Sequence, residues 1–219
     1  AEVTELVLES QFRCNGSDGY LAWVDNVLQI RSTANTTLED IDYDFRVCDS
    51  PNELRALIAE KNYAANKARL VAGYCWDWKG KRDPSVYDIR IPEHDFSMRW
   101  NLASDSSLWA IMPHSVNEVG CIHTCQGLEL DYVGVILGED FVIRDGIAVT
   151  DAANRSSQDR SIHGYKKLLK EDPERARELA DRVIKNTYRT LLTRGQKGAF
   201  IYCVDEETNA YFKDCIPST

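Results

Sequence analysis

Long apolar runs, patterned cysteines and a surplus of basic charge are all missing from this sequence, and each absence removes a class of protein. No run of about 18 apolar residues occurs, so no membrane-spanning helix is expected. The seven cysteines, at positions 14, 48, 75, 121, 125, 203 and 215, form no CxxC pair, and several lie inside apolar runs. Such an odd, unpatterned set reads as reduced thiols in a cytoplasmic protein rather than a disulfide framework. The Asn-x-Ser/Thr sequons at Asn15, Asn35 and Asn154 are then chance matches. Basic residues number 26 against 35 acidic ones, for a net charge of −9. A free-standing nucleic-acid binder draws most of its affinity from phosphate neutralisation, so this balance argues against tight independent binding. It leaves room for a local basic strip, or for a groove shared with another domain.

Two further absences bear on chemistry. There is no GxxxxGK[ST] loop and no Asp-Glu pair after an apolar strand. Without phosphate-cradling amides, their lysine and the Mg²⁺ ligands, the chain alone is expected to hold no nucleotide tightly and to be catalytically silent. The sequence also opens at Ala1, with neither an initiator methionine nor a basic-then-apolar leader, and a strand-like segment follows almost at once. That opening suggests a portion excised from a longer polypeptide.

What is present suits one α/β domain over residues 1–219, since 43% of the residues are apolar and none of the chain is depleted enough to be a long disordered tail. Val3–Glu9 alternates as a strand, and Ser17 is placed to cap a helix carrying Leu21, Trp23, Val24, Val27 and Leu28 at helical spacing. Arg31–Asp40 is polar and reads as a loop, and Asp44–Cys48 as a strand. Ser50-Pro-Asn-Glu53 has the capping-box pattern with proline in the first turn, opening a helix that turns Leu54, Leu57 and Ile58 inward. Ala68–Tyr74 reads as a buried strand, Trp76–Ser85 as a loop, and Tyr87–Ile91 with Phe96–Trp100 as a strand pair. Glu118–His123 and Tyr132–Leu137 are strand-like, and Asp145-Gly146 marks a hairpin within Phe141–Thr150. Pro173–Leu192 is the clearest helix, with Leu179, Val183, Ile184, Thr187, Tyr188 and Leu191 on one stripe, and Ala199–Val204 is a strand after it. Strands alternating with helices predict a mostly parallel sheet covered on both faces.

Three stretches carry chemistry: Gln11-Phe12-Arg13 after the opening strand, GCIHTCQGLELD at 120–131, and NTYRTLLTRG at 186–195. In order and spacing they resemble motifs IV, V and VI of superfamily-one helicases. With VAGYCWDW at 71–78 and the continuation to GCIHTCQGLELDYVGVI, the closer resemblance is to the Schlafen group 3-like DNA/RNA helicase domain family. It extends from about Leu6 to Cys203, nearly the whole chain. The resemblance implies the C-terminal RecA-like domain of an ATP-dependent DNA/RNA helicase or translocase, a three-layer α/β fold without its own P-loop. It implies as partners an N-terminal RecA-like domain of the same polypeptide, ATP with Mg²⁺ held there, and single-stranded DNA or RNA, with no membrane role.

By the same resemblance Arg194 is the arginine finger and Arg13 a second γ-phosphate contact. A guanidinium suits that role because it neutralises charge spread over phosphate oxygens without losing its proton. Phe12 matches an aromatic that stacks on the base, Gly127 allows close backbone approach, and Glu129 is placed to accept from a ribose hydroxyl. His123 and Thr124 stand where the family couples nucleotide state to a nucleic-acid strand. Trp78, beside Lys79, Lys81 and Arg82, has the composition for stacking on unpaired bases. Each residue also has a structural reading: Arg194 as a helix-end cation, Phe12 as core, Glu129 as a solvated carboxylate, His123 as a satisfied strand-end histidine, Trp78 as a partly tucked core residue, and Arg189 as a surface ion pair. The sequence departs from the broader pattern at Gln126, where a lysine is usual, and at Gly195, where alanine is usual. No metal site is expected, because strand-alternating Cys121, His123 and Cys125 span too far to clasp zinc. Two other readings remain open: a non-catalytic nucleic-acid-binding or regulatory module, and a nuclease built on Asp88, Glu93, His94 and Asp95.

Overall fold

Strand residues that alternate between two buried faces set the frame. The computed structural model describes residue 14, residues 17–125 and residues 129–216, apart from the side chains of 106 and 107. Within them the helices are α1 (Asp18–Val27), α2 (Pro51–Ala65), α3 (Tyr165–Glu171), α4 (Pro173–Leu192) and α5 (Glu206–Asp214). The strands are β1 (Asp44–Val47), β2 (Ala68–Ala72), β3 (Ile89–Ile91), β4 (Phe96–Trp100), β5 (Glu118–Gly120), β6 (Leu130–Leu137), β7 (Phe141–Arg144), β8 (Ile147–Thr150) and β9 (Gly195–Cys203). Seven of these form one sheet in the order β1-β9-β6-β2-β5-β4-β3, parallel throughout except for the antiparallel edge pair β3–β4.

Side-chain alternation divides the core into two layers. Val133, Val135 and Leu137 of β6 and Ala199, Ile201 and Cys203 of β9 pack with α1 and α4 on one face. Ile136, Phe200 and Tyr202 point the other way, with Leu54 and Ile58 of α2. This is the three-layer α/β arrangement of a RecA-like domain, as the sequence predicts.

Local chemistry fixes the element boundaries. The Ser17 hydroxyl accepts from the Tyr20 amide and the Ser50 hydroxyl from the Glu53 amide, each satisfying an orphan donor worth about 1 kcal/mol. Glu53 closes its box one residue early, accepting from the Asp49 amide at 2.7 Å. At the hairpin, Asp145 and Gly146 have φ of 51° and 77°, the two positive values a primed turn needs. α4 runs over the predicted span, though its buried stripe includes Ala176 and Ala180. Leu179 and Val183 are half-buried and line, with Leu168 of α3, a shallow cavity of about 250 Å³.

Some strand bounds need correction, among them β9, which begins at Gly195 rather than Ala199, and one expected strand lies out of reach. The strand expected over Glu118–His123 stops at Gly120, because the Thr124 hydroxyl accepts from the Cys121 amide at 2.7 Å and turns the chain. The strand expected from Tyr87 begins at Ile89. The opening strand Val3–Glu9 falls outside the described residues. No helix among the described residues is long and apolar enough to cross a membrane.

Candidate functional site

The ends of the segments read as motifs V and VI meet Cys14, the residue after Arg13, at the amino ends of β6 and β9. Leu130, at the end of the motif V segment, pairs with Gly195, at the end of motif VI. Cys14, directly after the Arg13 position, donates through its thiol to the Thr193 carbonyl at 3.7 Å. α1 and α4 are tied together here as well: Arg189 pairs with the buried Asp25 carboxylate, which also binds Arg31 at 2.8 Å. The structure therefore gives Arg189 an ion-pairing role between helices.

Arg194 follows the last turn of α4 and is buried, with 9% of its surface exposed. Glu129 stands exposed just before β6, so Arg194 and Glu129 immediately precede a pair of registered residues on neighbouring strands. Adjacent strands lie roughly 5 Å apart, which brings both residues to one short stretch of sheet edge. Arg13, Phe12 and Gly127 fall outside the described residues, as does Gln126.

The glycine after Arg194 has a geometric cause. Three residues of β6, Leu130 to Tyr132, oppose four of β9, Gly195 to Gly198, a bulge that bends β9. A Cβ at Gly195 would lie 2.1 Å from the Gly198 carbonyl oxygen. The usual alanine does not fit this bulge.

His123, Thr124 and Trp78 occupy the opposite edge, beyond the carboxyl ends of the neighbouring strands β5 and β2. His123 is exposed on the turn, while the half-buried Thr124 hydroxyl bonds both the amide and the carbonyl of Cys121. Cys121 and Cys125 enter different core layers, one with α2 and the other with α1 and α4, so the two thiols do not converge. Trp78 is half-buried against the α2-side core, with the Lys81 ammonium 5.4 Å from its ring centre.

The same carboxyl edge holds a crevice absent from the sequence reading. Chain leaving β2 runs towards β3, β4 and β5, whereas chain leaving β6 runs to β9 on the other side. Between such strands an open α/β sheet leaves a gap at its carboxyl ends. Adjoining cavities of about 590 and 700 Å³ occupy it, sharing Cys75, Trp76, Arg90 and Asn154. Beneath them Arg155 bridges Asp140 at 2.9 Å and Asp159 at 2.6 Å. Both the Arg155 and Asp140 side chains are fully buried. Burial pushes the Asp140 carboxyl up, against the opposing pull of Arg155 and the Tyr188 hydroxyl that donates to it.

Neither metal reading gains support here. Asp88 is occupied by the amides of Lys79 and Gly80, and it does not gather with Glu93, His94 and Asp95 into a ligand cluster among the described residues. One group does gather, Asp105, His114 and Glu118. Yet the Glu118 carboxylate accepts from Arg99 and from the Trp109 indole, each at 3.1 Å, so a guanidinium already holds the place of a cation.

A family model for the Schlafen group 3, DNA/RNA helicase domain matches residues 1–205. The chain belongs to that family. Among curated proteins it is similar to "Uncharacterized protein YPL245W" of Saccharomyces cerevisiae, 27% identical over 221 residues, covering 91% of this chain and 46% of that protein. The chain thus spans under half the length of that relative. No solved structure matches it. For this Schlafen group 3 helicase-like domain, the residues read from the sequence as nucleotide contacts and those read as strand contacts fall on opposite edges of one sheet, as far as they are described.

Proposed function

We propose that this domain closes over a nucleoside triphosphate bound, with Mg²⁺, to an N-terminal RecA-like domain, supplies Arg194 and Arg13 to the γ-phosphate, and couples hydrolysis to movement along single-stranded DNA or RNA. The observation that supports this reading is the meeting at one sheet edge of Cys14, next in sequence to Arg13, with the ends of the 120–131 and 186–195 segments, through the Cys14–Thr193 contact and the Leu130–Gly195 pairing. Glu129 at that edge would accept from the ribose, with Phe12 stacked on the base and Gly127 against the phosphates. At the fold boundary the effective dielectric is lower than in water, so the guanidinium of the largely buried Arg194 attracts phosphate charge more strongly. The bound metal would neutralise charge between the phosphates. His123, Thr124 and Trp78, on the carboxyl edge, would face the nucleic-acid strand. The reduced thiols suit a cytoplasmic setting.

Replacing Arg194 by alanine in the full-length protein is expected to lower nucleic-acid-stimulated ATPase turnover by about three to five orders of magnitude. Nucleotide affinity should be largely kept; unaltered turnover would refute the assignment. The acidic net charge favours a second reading, a non-catalytic nucleic-acid-binding or regulatory module. It predicts no ATPase activity, and single-stranded oligonucleotide binding at low salt that Trp78→Ala abolishes.

A further inference from the structure

Helix C-termini leave their last carbonyls without intrahelical donors, and at a solvent-facing end water normally takes them. The end of α4 is different. The Tyr20 hydroxyl donates to the Leu192 carbonyl at 3.0 Å, the Cys14 thiol to the Thr193 carbonyl at 3.7 Å, and the Tyr43 hydroxyl to the Gly195 carbonyl at 3.0 Å. These acceptors bracket Arg194 on both sides. Their donors come from far along the chain, Tyr20 from α1 and Tyr43 from the residue before β1. The two phenol rings are themselves stacked, with centroids 3.7 Å apart, so neither hydroxyl moves without the other ring.

We infer that Tyr20 and Tyr43 are positioning residues that aim Arg194, an inference resting on the arginine-finger reading above. The pair acts as a two-point clamp on the backbone one peptide unit beyond the arginine on either side and so limits the direction in which its side chain leaves the backbone. A misplacement of about 1 Å in a charge-stabilising group can cost about a hundredfold in rate, so orientation is where such a clamp would register. Its chemistry is constant across neutral pH. Burial, reinforced by Cys14, pushes both phenols well above the ordinary tyrosine value; Tyr20 raises Tyr43 further, while the hydrogen bond with Tyr43 only partly offsets the rise at Tyr20, so both stay protonated donors. Gly195 completes the arrangement, because a Cβ there would sit 3.2 Å from the Tyr43 oxygen as well as striking the Gly198 carbonyl.

The test uses the full-length protein carrying Tyr20→Phe, Tyr43→Phe or both, which remove the hydroxyls and keep the rings. Nucleic-acid-stimulated hydrolysis should lose about tenfold or more in kcat in the double variant, with KM for nucleotide held within about twofold. The shape of the kcat–pH profile should not change. In an Arg194→Lys background the same tyrosine substitutions should lower kcat no further, since the group they aim is already gone. A fall in thermal midpoint with kcat intact would overturn the clamp and leave the tyrosines as packing. If the double variant does not fold, Tyr43→Phe alone carries the test. Arg194→Ala measured alongside separates the two levels: loss of turnover there with normal kcat in the tyrosine variants refutes only the clamp. Retained turnover in Arg194→Ala refutes the finger and the clamp together.

Discussion

The two edges of the central sheet are held by different physics. At the carboxyl edge, Asp140, Arg155 and Asp159 form an ion cluster in which the Arg155 side chain is fully buried. Two carboxylates there share one guanidinium, so the charges of this cluster are engaged with one another. At the amino edge, the turn bearing Arg194 is held by neutral donors, the hydroxyls of Tyr20 and Tyr43 and the thiol of Cys14, acting on backbone carbonyls. These donors act on the backbone on either side of Arg194 and carry no charge of their own. The contrast is one of means: a buried ion cluster holds the carboxyl edge, whereas neutral donors hold the turn that carries Arg194.

That contrast is open to attack by substitution. The largest effect on stability is expected from Arg155→Met, which strands two buried carboxylates and should destabilise by about 3–5 kcal/mol in chemical denaturation. A neutral outcome would mean the ion cluster does not hold the carboxyl edge. Gly195→Ala at the amino edge should destabilise less, by about 1–3 kcal/mol, through the enforced shift of the β9 bulge. It should depress turnover further than that loss explains, and normal turnover would blunt the comparison.

The smallest effect is expected at Asp205, the cap of α5 just beyond β9. Partial burial acts to raise its carboxyl, and hydrogen bonds from Arg144 and Thr208 outweigh it, holding the group at about 2 against an ordinary 3.8. A depressed carboxyl contributes stability that is fully present above its ordinary value and is lost as pH falls through the folded one. Arg144→Ala should therefore move the acid-unfolding midpoint upward slightly, with variant and parent converging below about pH 2. Turnover at neutral pH should not change. An unshifted acid midpoint would show that Arg144 does not hold this carboxyl down.

Much of this fold was legible because it is encoded locally. Ser17, Ser50 and Asp145-Gly146 announce their caps and turn within four residues, and the 20-residue α4 shows its period plainly. α5 had a similar signal that went unread, Asp205 accepting from the Thr208 amide with Glu206 and Glu207 in the first turn. β5 ended early for a reason apolar patterning cannot carry: a threonine hydroxyl three residues on competes for the Cys121 amide. At the site, the motif residues could be picked out by type and order, and Arg194 and Glu129 do lie on one edge. The tyrosine clamp could not be read, because Tyr20, Tyr43 and the Leu192–Gly195 turn are brought together only by sheet pairing. The Asp140–Arg155–Asp159 cluster was hidden in the same way, its members lying on either side of the Phe141–Thr150 hairpin with no sequence pattern to join them.

Single-turnover hydrolysis by full-length protein, wild type against Arg194→Ala, with nucleotide binding measured separately, tests the central claim most directly. The account predicts that the chemical step collapses by about three orders of magnitude or more while nucleotide still binds. A chemical step of wild-type speed in the variant would contradict it.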